Sequence, residues 1–209
     1  MMAAPELHVL TDRYWSRGRD TLEVARAAIA GGADVIQLRD KDASTRELIA
    51  QGRALRELTR ATGVRLIVND RVDVALAVEA DGVHVGQDDM PVAIARQLMG
   101  PDRLVGASAG TLEEALAAAA AGASYLGVGP IYETRGKSDA GAPTGPELLR
   151  LIRMQVALPL IAIGGITVER VPEVMSAGAS GIAVITAVVS ADDITAATRA
   201  LKQAMIDWR

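Results

Sequence analysis

Short apolar runs alternate with amphipathic stretches from one end of this chain to the other. The runs LHVLT (7–11), VIQLR (35–39), RLIVN (65–69), GVHVG (82–86), LVGAS (104–108), YLGVG (125–129), LPLIAIG (158–164) and GIAVIT (181–186) are branched and bounded by turn residues, which predicts buried strands. Between them, segments such as TLEVARAAIAGG and STRELIAQGRALRELTRATG place apolar residues three and four apart, the spacing of one helix face. Several predicted helices end alike, in AGGAD (30–34), EADG (79–82), AAGAS (120–124) and SAGAS (176–180). Glycine at these ends can take the left-handed conformation that stops a helix and turns the chain back into a strand. One strand–helix unit is therefore used many times.

Eight such units fit a closed (β/α)8 barrel or an open doubly wound sheet. The count of eight, with no GxGxxG after the first strand, favours the barrel. The expected fold class is α/β, a single (β/α)8 TIM barrel over residues 1–209 with mostly short loops. One connection is long: GPIYETRGKSDAGAPTG (129–145) gathers glycine, proline and charge directly after an apolar run. It is expected to act as a lid over a negatively charged ligand, with Gly136 and Gly141 permitting closure.

Composition sharpens this picture. Half of the 209 residues are apolar, yet there is no phenylalanine, with only two tryptophans and three tyrosines. Small branched residues suit strands covered by helices on a parallel sheet. A net charge of −4 argues against a nucleic-acid partner, which would call for a basic face. The absence of cysteine excludes disulfides, zinc–thiolate sites and thiol nucleophiles. The first residues lack the basic start and apolar segment of a signal peptide, and no uncharged apolar stretch is long enough to span a bilayer. A soluble, cytoplasmic protein acting on small molecules is expected, with no nucleic-acid or membrane partner; a homo-oligomer is compatible with these features.

In an α/β barrel the chemistry gathers at the carboxyl ends of the strands. The polar residues at the end of each apolar run are Thr11-Asp12-Arg13, then Gln37, Arg39 and Lys41, then Asn69-Asp70-Arg71, then Gln87-Asp88-Asp89. Ser108 ends the fifth run, Gly164-Gly165 the seventh and Thr186 the eighth. Gln37, Arg39 and Lys41 alternate, so an extended strand would point all three the same way. Two cations and an amide inside a sheet need an anion to offset their desolvation, and Arg with Lys suits a phosphate or pyrophosphate. The alternative is that Arg39 pairs with Asp40 or Asp70. Asp70 and Asp89, with no cysteine or histidine beside them, suggest a hard cation such as Mg2+. The alternative is that they cap helices, with Asp88 the better cap before Pro91. Gly164-Gly165 fits the phosphate cup of the last two strands. His84, between apolar residues, is expected to be a packed core residue, and His8 has no constellation around it.

These residues resemble a known family. QLRDK (37–41), NDR (69–71), DGVHVGQDD (81–89), GASAGT (106–111), GVGPIYET…K (127–137), IAIGGI (161–166) and VITAV (184–188) together look like the thiamine-phosphate synthase family, in order and over nearly the whole chain. The resemblance implies a (β/α)8 transferase that joins hydroxymethylpyrimidine diphosphate to hydroxyethylthiazole phosphate, with Mg2+, giving thiamine phosphate and pyrophosphate. It implies Gln37, Arg39, Lys41, Asn69, Ser108 and Lys137 on the pyrimidine diphosphate, with Arg39, Lys41, Ser108 and Lys137 serving catalysis. Asp70 and Asp89 would hold the metal. Thr134, Arg135, Gly136, Gly165, Ile185 and Thr186 would bind the thiazole phosphate. The family's reaction is dissociative: pyrophosphate leaves first, and the thiazole nitrogen captures the resulting cation. Such chemistry needs charge neutralisation and exclusion of water, not a strong base.

Two positions depart from the family pattern. Gly110 stands where many relatives have histidine two residues after the serine, and the loop reads ETRGK, with Glu133 for proline and Gly136 for threonine. Two alternatives stay open at this point. One is a thiazole tautomerase paralogue, an isomerase against which Gly110 weighs because that branch uses the histidine for proton transfer. The other is a catalytically silent, phosphate-binding regulatory barrel.

Overall fold

The computed structural model describes residues 5–136 and 141–208. The chain runs β1 (Glu6–Leu10), α1 (Thr21–Ala30), β2 (Val35–Leu38), α2 (Thr45–Thr62), β3 (Arg65–Asn69), α3 (Val72–Ala77), β4 (Gly82–Val85) and α4 (Val92–Met99). It continues through β5 (Leu104–Ala109), α5 (Leu112–Ala120), β6 (Tyr125–Val128), α6 (Pro146–Arg153) and β7 (Leu160–Ile163). A 3-10 turn (Val168–Arg170) then leads to α7 (Val171–Ser176), β8 (Gly181–Val184), α8 (Thr186–Val189) and α9 (Ile194–Asp207). The strands close in sequence order, every neighbouring pair parallel, with β8 pairing back onto β1. This is the expected (β/α)8 barrel, with each apolar run a strand.

Strand ends differ from the apolar runs by a residue or two. β2 stops at Leu38, and β7 starts at Leu160, just after Pro159, which has no N–H for the ladder. Alternation along each strand divides the core. Leu7 and Val9 of β1 join the large cluster beneath the helices, whereas Leu10 joins Tyr125, Ile161, Ala183 and Ile185 in a smaller cluster.

Helix starts obey ordinary chemistry. Ser44 and Glu47 form a reciprocal capping box on α2, and Asp20, Thr111 and Asp193 cap α1, α5 and α9 with side-chain oxygens. The repeated helix-end punctuation holds in three places, where Gly32, Gly122 and Gly178 have φ of 101°, 93° and 102°. In EADG it does not. There Glu79 takes the left-handed turn at φ 53°, and Gly82 opens β4, where a Cβ would lie 2.4 Å from the Leu104 carbonyl oxygen. Among the described residues no helix is long and apolar enough to cross a membrane.

Candidate active site

The carboxyl ends of the strands surround a cavity of about 530 Å3. Arg39, Lys41, Asn69, Asp70, Asp89 and Ser108 stand on its wall, delivered by the ends of β2 to β5. Thr134 and Gly136 reach it from the loop after β6, and Gly165, Ile185 and Thr186 from the ends of β7 and β8. Two residues expected at the site do not line this cavity: Gln37 is buried on β2, 3% exposed, and Arg135 is exposed. Lys137 falls outside the described residues.

The cations are held differently from the sequence expectation. Because β2 ends at Leu38, alternation does not carry through to Lys41, which reaches the cavity from the turn after the strand. Arg39 is 5% exposed, and its Nη1 donates to the Asp12 carboxylate at the end of β1. Asp40, the partner expected as an alternative, is occupied 2.9 Å from Arg13. A guanidinium has five N–H donors, so pairing with Asp12 offsets its burial without exhausting its capacity for an anion.

Neither metal candidate is a helix cap. The N-cap positions of α3 and α4 are Arg71 and Pro91, neither with a side-chain cap bond, so Asp88 does not take that role either. Asp89 instead accepts from the Gly86 amide at 2.7 Å, which ties its carboxylate to the rim. Asp70 has φ 64°, uncommon outside glycine, and its own amide donates to the His84 carbonyl at 2.7 Å. Backbone outliers of this kind concentrate at functional sites. Among the described residues no group of three or more His, Cys, Asp or Glu could hold a metal. Two carboxylate oxygen donors are nonetheless a fitting partial set for Mg2+, which completes its sphere with water and substrate phosphate.

Bare backbone lines the opposite wall. Gly164 and Gly165 have φ of 100° and 62°, and a Cβ on them would lie 2.7 Å from Pro130 Cα and 2.5 Å from the Glu133 carbonyl oxygen. No side chain fits at either position. Arg170 Nη1 donates to the Gly165 carbonyl at 2.6 Å, with its guanidinium 4.3 Å above the Tyr132 ring. Tyr132 in turn donates its hydroxyl to Glu173 at 2.5 Å. Desolvation, with that bond, pushes the phenol pKa up to about 12, so it stays a donor. Thr134 Oγ1 accepts from the Gly136 amide at 3.1 Å, bracing the loop on the same side.

Two groups escaped the sequence reading. His84 is buried, as expected, but it also lines the cavity, with Nε2 3.1 Å from Ser108 Oγ and Nδ1 3.1 Å from Tyr125 Oη. Gly86, two residues further along the same face and without a side chain, was the available signal that His84 could border the cavity. Glu114 is the other: its Oε2 accepts from the Gly110 amide at 2.6 Å, where the family pattern would put histidine.

Known proteins carry the same pattern. A family model described as thiamine monophosphate synthase matches residues 7–188. A thiamine-phosphate synthase of Chloroflexus aurantiacus is 60% identical over 196 residues, 94% of this chain and 90% of that protein. One from Moorella thermoacetica is 52% identical, over 95% of this chain and 94% of its own. Among solved structures, a thiamine phosphate pyrophosphorylase from Pyrococcus furiosus superposes with a TM-score of 0.90 at 44% identity, covering 98% of this chain and 97% of its own.

Proposed function

The chain belongs to the thiamine monophosphate synthase family and is a transferase, and we propose that its cavity joins hydroxymethylpyrimidine diphosphate to hydroxyethylthiazole phosphate. The observation that carries this reading is the meeting of three kinds of group in one cavity. Cations (Arg39, Lys41), a pair of carboxylates (Asp70, Asp89) and a bare glycine wall (Gly165) each suit a different part of two phosphorylated ligands.

The bond that breaks is that between the pyrimidine methylene carbon and the diphosphate oxygen, whose electron pair leaves with pyrophosphate. The bond that forms joins that carbon to the thiazole nitrogen through the nitrogen lone pair. No proton has to move. Arg39, Lys41 and Ser108 take up negative charge as it grows on the leaving group, the largest single aid to such a step. Lys137 joins them by its place in the family motif. Asn69 orients the pyrimidine diphosphate, and the family motif adds Gln37. Asp70 and Asp89 would hold Mg2+, which when bound supplies further neutralisation of diphosphate charge. The Gly165 backbone, Thr134, Gly136, Ile185 and Thr186 hold the thiazole phosphate, with Arg135 assigned by motif, so that the nitrogen meets the methylene carbon in line. Both substrates are charged metabolites that a membrane would retain, which goes with a cytoplasmic setting.

The tautomerase alternative wants a proton-transfer group at position 110. Glycine stands there, and Glu114 already takes its amide. The deciding experiment incubates the protein with both phosphorylated substrates, with and without Mg2+, and assays for thiamine phosphate. Mg2+-dependent product is expected; no product in either condition overturns the proposal.

A further inference from the structure

A barrel interior of this kind is ordinarily filled by branched aliphatic side chains. Here three polar rings occupy it: His8 of β1, His84 of β4 and Tyr125 of β6, between 3% and 7% exposed. They form a continuous column. At the amino-terminal rim, Arg65 pairs with Glu6 at 2.9 Å, and Glu6 lies 3.3 Å from His8 Nε2. The His8 ring meets Tyr125 edge-on, with centroids 5.5 Å apart. Tyr125 Oη reaches His84 Nδ1, and His84 Nε2 reaches Ser108 Oγ, both at 3.1 Å.

The sheet has been cleared to make room for the upper half of this column. Gly106 lies between His84 and Tyr125 in the strand register. A Cβ on it would sit 2.2 Å from Tyr125 Cζ and 2.5 Å from His84 Nδ1. Gly127, opposite Ser108 in the register, would press a Cβ to 2.8 Å from His84 Cε1. Two strands therefore give up side chains so that a phenol and an imidazole can meet under Ser108.

A neutral imidazole between two hydroxyls has two consistent proton arrangements. In one, Ser108 donates to Nε2 and Nδ1–H donates to Tyr125; this is the geometry of a serine activated by a base. It leaves the phenolic proton of Tyr125 inside the barrel with no acceptor among the described residues, and a buried donor without a partner is costly. In the other, Tyr125 donates to Nδ1 and Nε2–H donates to Ser108 Oγ. The spare proton is then that of Ser108, which faces the cavity and finds a ligand there. Burial raises the Tyr125 pKa, so the phenol keeps the proton that this arrangement uses.

We propose that Tyr125 is a positioning residue that locks His84 in the Nε2–H form and so fixes Ser108 as a hydrogen-bond donor into the cavity. Ser108 then serves an anionic leaving group and not as a nucleophile. The inference rests on the proposed synthase reading for what occupies the cavity, while the proton arrangement stands without it.

The chain has only two histidines, so nitrogen-15 spectra of histidine-labelled full-length protein, without ligand, report just two rings. One ring, His84, is expected with Nδ1 unprotonated and Nε2 protonated, and its Nδ1 resonance should move in Tyr125→Phe. Turnover in Tyr125→Phe is expected to fall at least about tenfold, the worth of one hydrogen bond, with little change in KM. The double variant with Ser108→Ala should be no slower than Ser108→Ala alone. A wild-type His84 carrying its proton on Nδ1, or on both nitrogens, overturns the proposal, as do turnover losses that multiply in the double variant. If the wild type makes no thiamine phosphate, the synthase reading fails, yet the spectra still decide the proton arrangement.

Discussion

At the scale of single residues, the site mixes groups chosen for charge with groups chosen for backbone shape, and Asp70 is both. It lines the cavity, and its φ of 64° is one that Asn tolerates and Ala does not. Asp70→Asn therefore keeps the backbone and removes the charge, whereas Asp70→Ala loses both. The Asn variant is expected to stay within about 0.5 kcal/mol of the parent in urea denaturation, typical of a change without a core or backbone cost. Its turnover should fall at least about a hundredfold if electrostatic stabilisation governs the reaction. Near-normal turnover would remove Asp70 from the chemistry. The same scale explains which roles stayed hidden in the sequence. Asp70, Asp89, Arg39 and Lys41 could be found because a chain position, the end of an apolar run, marks them as facing the cavity. The role of His84 depends on Gly106 and Gly127 lying beside it, and they become neighbours only through strand register. Arg39 pairing with Asp12 and not with Asp40 is equally a matter of which loops meet above the barrel.

At the scale of elements, the strands were readable because burial on both faces makes each a nearly pure apolar run. Their ends were less so. The run VIQLR reads through Arg39, but the hydrogen-bond ladder stops at Leu38, and Lys41 enters the cavity from a turn. The double glycine after β7 was recognisable by position, but the groups that hold it were not. Arg170, from the 3-10 turn, grips the Gly165 carbonyl while stacking on Tyr132 from the loop after β6, and Glu173 of α7 accepts from Tyr132. Three elements are thus tied behind the bare wall, and the tie turns the Gly165 carbonyl toward Arg170. Arg170→Ala removes this tie without touching the cations or the carboxylates. Steady-state kinetics should show KM for the thiazole phosphate raised about tenfold, as for a lost charge-assisted hydrogen bond. KM for the pyrimidine diphosphate should hold within about twofold, well short of the tenfold worth of one such bond. Equal rises for both substrates would place Arg170 in general barrel stability instead.

At the scale of the whole molecule, the cavity is a product of closure. No strand contributes more than a few groups, and the aspartates that follow β3 and β4 share one cavity with the glycines that follow β7 only because β8 pairs back onto β1. A ligand that bridges such a site binds the closed barrel and not the unfolded chain, so its binding energy adds to the stability of the entire fold. With ligand at a hundred times its dissociation constant the gain is about 2.7 kcal/mol. For a chain of this size that is a rise in Tm of roughly 5–10 °C. Pyrophosphate and Mg2+ make the sharpest pair of probes. Two carboxylates alone are a poor cage for Mg2+, and pyrophosphate alone would meet Asp70 and Asp89 as like charges. Each should therefore shift Tm little by itself, and the two together by more than the sum of their separate effects. Thermal scans with each, both and neither measure that coupling, and Asp70→Asn should abolish it. Additive shifts, or full coupling retained in Asp70→Asn, would mean that the anion and the metal do not share the site built by these strands.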